Sequence, residues 1–116
     1  MYLNGMIYRI ENYVNEKTGH IIESITPSFG DDGKPILMAI HAGFKGKEVI
    51  GVKFFEGLNV RDVKPCPIEF PIEANNLLDA FAKFVPARDA EMKQMQSNAT
   101  KQFMAAQGPK MEFFVP

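Results

Sequence analysis

The feature that most constrains this chain is a change of period. Up to residue 73 its apolar residues tend to recur at every second position, and from residue 74 they step by three or four. Alternation gives a strand one buried and one solvated face, whereas steps of three and four draw a stripe along a helix. Strands first and helices after predict an α+β domain. Its antiparallel sheet of four to five strands covers residues ~6–63, and one or two C-terminal helices pack on one face. The 116 residues suit a single domain, strand-rich over 1–73, helical over 74–107, with a short apolar tail over 108–116. A chain of this length can bury a core without disulfides or metal.

In "MIYRIENYV", Tyr8, Ile10 and Val14 share one face of a strand, and Arg9, Glu11 and Tyr13 share the other. "NEKTGH" reads as a hairpin loop closed by Gly19, and "HIIESIT" as the returning strand. Two Pro, two Gly and two Asp make "PSFGDDGKP" a loop. "ILMAIHAGF" resumes the alternation, with Ile36, Met38, Ile40, Ala42 and Phe44 on one face, and "KGK" at 45–47 reads as a tight turn. The next strand, "EVIGVKFFE", sets Ile50, Val52 and Phe54 against Val49, Gly51, Lys53 and Phe55. "NVRDVKP" reads as a short fifth strand. Pro65, Pro67 and Pro71 make residues 64–73 an extended edge segment or linker, because proline cannot donate to a ladder.

Asn75 or Asn76 is the expected N-cap of a first helix, which Pro86 ends or kinks. A second helical run follows, with Met92, Met95, Ala99, Phe103 and Ala106 along one stripe, and Gly108-Pro109 stops it.

Enzyme signatures are absent from the sequence. Neither His20 nor His41 belongs to a helical HxxxH pair, and Cys66 has no CxxC partner. There is no GxGxxG, no GxxxxGK[ST] and no GxSxG. Asp31-Asp32 reads as a solvated turn. The expectation is a protein without catalytic residues, metal or cofactor. A single cysteine fits a reducing compartment, and neither a signal peptide nor an apolar run of spanning length is visible. The expected location is the cytoplasm, or a host cytoplasm, without membrane contact.

The net charge of −1 attracts no polyanion as a whole, but it is unevenly spread. Residues 34–64 carry six cationic side chains against three acidic ones, while both flanking segments are acidic. Parity then places His41, Lys45, Val49, Lys53 and Phe55 on the sheet face turned away from the helices. Lysines neutralise phosphates, and an exposed aromatic ring stacks a base of any identity. Lysine also guards sheet edges with no ligand in view.

Two functions follow as expectations. The first is a small non-enzymatic protein that binds single-stranded DNA or RNA, with Lys45, Lys47, Lys53 and Phe55 lining the groove and Lys34, Arg61 and Lys64 extending it. The second is a protein-interaction or assembly module, an inhibitor or accessory subunit. It would act through Met92, Met95 and Phe103 of the helix and Phe113 and Phe114 of the tail, which are also the expected seam of a homo-oligomer.

Overall fold

A computed structural model describes residues 5–37, 41, 43–106 and 110–116, with side chains through residue 101 and again from 110. Strands β1 (Ile7–Val14) and β2 (Ile21–Phe29) form one hairpin, and β3 (Gly43–Glu56) and β4 (Asn59–Ile72) a longer one. Helices α1 (Leu77–Ala82) and α2 (Phe84–Ala106) follow, and the chain ends in strand β5 (Met111–Phe114). All pairings are antiparallel, in the order β1-β2-β3-β4, with β5 added to β3. The α+β class and the helix packed on the sheet are therefore as the period change predicts.

β3 organises the sheet. One of its edges pairs with β4 along almost its full length. The other is shared: β2 takes Gly43–Lys47 and β5 takes Gly51–Phe54. The even-numbered residues of β3 and β4 form the inner face. There Phe44, Ile50, Ile68, Phe70 and Ile72 join Ile22 of β2, Ala80 of α1 and Phe84 of α2 in one buried cluster. The Phe84 ring meets Phe70 edge-on at 5.1 Å and stacks on His20 at 4.0 Å. Burying each such ring contributes about 1.5–3 kcal/mol, so this aromatic pair anchors helix to sheet.

The turns are glycine-dependent where expected. Gly19 takes φ +75° in the β1–β2 loop, where Asn15 and His20 close the hairpin by an amide–carbonyl bond of 2.9 Å. Gly57 takes φ +64° in the two-residue turn between β3 and β4. Asn76 is the N-cap of α1: its side chain accepts from the Asp79 amide at 2.8 Å, and the Asp79 carboxylate accepts from the Asn75 amide at 3.1 Å. Lys83, which bridges to Asp79 at 3.0 Å, and the Asn75 amide hold the Asp79 carboxyl below its usual range.

Several boundaries differ from the sequence reading. "KGK" is no turn: β3 runs straight through Lys45-Gly46-Lys47. Gly46 faces inward beneath the Phe70 ring, and a Cβ there would overlap that ring. The glycine is a notch for a neighbour, a use that its lysine neighbours conceal. Of the strand expected over 36–44, Ile36, Leu37 and His41 lie outside the strands, and Met38, Ala39, Ile40 and Ala42 lie outside the described residues.

β2 continues through Pro27 to Phe29, so the loop begins only at Gly30. The short fifth strand and the proline-rich segment are one strand, β4. Its prolines Pro65, Pro67 and Pro71 share one parity, which removes donors from one edge alone. β4 is paired only with β3 among the described residues, so that edge is the open one. The first helix ends at Ala82, the residue whose carbonyl the Pro86 ring would meet in a continuous helix. Pro86 itself sits in the first turn of α2, where its missing N–H has no partner to lose. Gly108-Pro109 lies outside the described residues.

Candidate nucleic-acid interface

β3 carries four of the sequence-predicted residues, Lys45, Lys47, Lys53 and Phe55. Lys45, Lys47 and Lys53 all project from the outer face, as parity requires. Lys45 is exposed. Lys47 bridges to the nearly buried Glu23 at 3.0 Å, and that hydrogen bond raises its pKa. Eight residues separate Lys45 from Lys53, which is about 27 Å of strand. Val49, between them on this face, is 55% exposed.

Around Lys53 the arrangement becomes specific. β5 pairs Gly51 with Phe114, Val52 with Phe113 and Lys53 with Glu112. Phe113 therefore turns inward against the core, and Phe114 turns outward and lies over Gly51, where a Cβ would overlap the ring. The Lys53 ammonium stands 4.9 Å from the centre of the Phe114 ring. Nearby, the Lys110 ammonium stands 5.3 Å from the Phe55 ring and that of Lys64 5.8 Å from the Phe54 ring. Three aromatic rings, each beside a cation, thus lie at one end of the long hairpin, Phe114 and Phe55 on its outer face and Phe54 on its inner face. An apolar depression lined by Val49, Val63, Pro65, Phe114 and Pro116 adjoins them.

α2 holds the tail in place. The Gln96 side-chain amide donates to the Met111 carbonyl at 2.8 Å, and its oxygen accepts from the Phe113 amide at 2.9 Å. The side chain imitates a further strand on the edge of β5 that β3 leaves unpaired.

The remaining predicted residues fall elsewhere. Arg61 is exposed and is the extra residue of a bulge, because Phe54 pairs with Asp62 but Phe55 with Val60. Lys64 lies on the inner side of β4, opposite Val52, and contacts Asp62 at 3.8 Å. Lys34 sits in the Gly30–Lys34 turn beyond the far end of β2, so it belongs to the other end of the sheet. Met92 and Met95 pack on the core cluster, and the side chain of Phe103 lies outside the described residues. Phe113 and Phe114, expected at a seam between chains, are engaged with the chain's own sheet.

Sequence reasoning missed Phe54 and Lys110 as members of these pairs and gave Phe114 a different role. The alternation in "MEFF" was the available signal, since it reads as a strand with one ring on each face.

Among the described residues no group of three His, Cys, Asp or Glu is placed to hold a metal ion, and no helix is long and apolar enough to cross a membrane. Comparison with protein-family models, with curated proteins and with solved structures gives no match.

Proposed function

We propose that the chain is a non-enzymatic binding protein for single-stranded nucleic acid, held along the outer face of β3. The observation that carries this reading is the two lysine–phenylalanine pairs on that face at the distal end of the hairpin, Lys53 with Phe114 and Lys110 with Phe55. A flat ring supplies stacking for a base of any identity, and the ammonium beside it supplies a phosphate contact. On binding, Lys53 swings from the Phe114 ring to a phosphate and a base takes its place on the exposed ring face. Lys45 and Lys47 extend the cationic track along the same strand. The alternative, contact with another protein through Met92, Met95, Phe113 and Phe114, draws less support, because these side chains pack on their own chain.

Fluorescence anisotropy of a labelled oligothymidine tests the proposal. Binding is expected at low salt and weakens as salt rises, with a log–log slope of about −0.7 per phosphate contact. Lys45→Gln lowers the magnitude of that slope by about 0.7. The double variant Lys45→Glu, Lys53→Glu abolishes binding while circular dichroism stays that of the parent. Absence of binding even at low salt, or wild-type binding by a folded double variant, would sink the reading.

A further inference from the structure

The two outer strands of the sheet are treated differently. Three prolines strip donors from the open edge of β4. β1 has no proline, and among the described residues nothing pairs with its outer edge. The Asn15 amide donates to His20, so amides of that parity in β1 point at β2. Those of Tyr8, Ile10, Asn12 and Val14, with their carbonyls, therefore point outward. An eight-residue edge of this kind is a template for another strand. The apolar side chains beside it are also uncovered, Ile10 at 54% and Val14 at 63% exposure.

The sequence of β1 specifies what fits that edge. Consider two β1 strands paired antiparallel about a two-fold axis through Ile10. Arg9 then faces Glu11 of the second copy, Glu11 faces its Arg9, Ile10 meets Ile10, and Tyr8 meets Asn12. A slide of two residues one way sets Arg9 against Arg9, and the other way Glu11 against Glu11. Like charges directly opposite are unfavourable and opposite charges favourable, so the strand is self-complementary in one register. Within one chain Arg9 and Glu11 already meet at 2.9 Å, both well exposed, so they re-pair across the axis at little cost. Outward-pointing groups of Tyr8, Ile10 and Asn12 supply about six backbone hydrogen bonds in this register.

We infer that β1 is the homodimerisation edge of this protein: two copies join β1 to β1 about Ile10 into one continuous ten-stranded sheet. The inference is independent of what the outer face of β3 binds.

Sedimentation velocity on the full chain over a wide concentration range tests it. The wild type sediments at twice the 13.0 kDa chain mass at high concentration. Ile10→Pro removes one outward donor and yields a monomer with unchanged circular dichroism. Arg9→Glu sets two carboxylates against each other, the introduced one and that of Glu11 in the second copy. It raises the dimer dissociation constant at least about tenfold. Adding Glu11→Arg to Arg9→Glu restores the dimer, which a merely structural role of either residue does not explain. Should Ile10→Pro unfold, the charge pair alone decides. A wild type that stays monomeric throughout overturns the inference. So does a dimer indifferent to Arg9→Glu, or a folded double variant that stays monomeric.

Discussion

β3 contains two glycines with a phenylalanine ring seated on each, and they face opposite ways. Gly46 looks inward, and its cross-strand partner Phe70 covers it within the core, 1% exposed. Gly51 looks outward, and its partner Phe114 covers it from β5 under a lysine ammonium. The local device is the same: a missing Cβ lets a flat ring lie on the backbone of the neighbouring strand. What surrounds the ring makes the difference. Phe70 is locked by Phe84 and by the rest of the buried cluster, so its seat serves stability. Phe114 keeps a solvent-facing side, and its strand is fixed by backbone pairing and by Gln96, so its seat presents a ring.

Substitution at the two seats separates these roles. Gly46→Ala has the largest expected effect: a methyl in the space of the Phe70 ring forces the core apart, costing about 1–3 kcal/mol or more in chemical denaturation. Gly51→Ala evicts Phe114 instead. It lowers oligothymidine affinity by about 5- to 150-fold, the worth of one stacked base, and destabilises less than Gly46→Ala. Equal stability losses at the two positions would erase the distinction drawn between them.

Gln96→Ala cuts the tether of the outer seat at a cost of about 1 kcal/mol, and hydrogen exchange at the Phe113 amide reports its loosening. Asn76→Ala removes the exposed cap of α1 and costs about 1 kcal/mol in thermal unfolding without changing affinity for oligothymidine.

Acid provides the finest control. The folded Asp79 pKa is lowered, so its contribution is fully present above its unfolded value of 3.8 and is lost as pH falls through the lower folded value. Stability carried by α1 therefore holds across neutral pH and declines only in acid below that point, which an Asp79→Asn variant should not show.

Much of this was legible in the chain, for reasons that can be named. Parity assigned Phe44, Ile50 and Val52 to one face of β3 and Lys45, Val49 and Lys53 to the other, because one face of the strand is buried and a slip would expose it. The cap is legible to within one residue, Asn75 or Asn76, because capping is local. Gly46 misled because lysine–glycine–lysine has turn composition, and only the distant Phe70 explains its use. The sequence alone makes the proline segment an extended edge or a linker, apart from "NVRDVKP", since the register that unites them comes from β3. β5 escaped because its four residues acquire meaning only against Gly51–Phe54, some sixty residues earlier in the chain by the register of the pairing.

The prolines of β4 have a consequence for counting. A strand edge is a binding valence, and a sheet with two usable edges polymerises without limit. Pro65, Pro67 and Pro71 lower the valence of one side by breaking up its row of donors. With β1 as the outer strand free of proline, growth terminates after a single addition, and the sheet ends in a proline-bearing strand on both outer rims. Replacing those three residues would do more than alter one strand. It would give each copy a second valence and turn a closed pair into the repeat unit of a fibre.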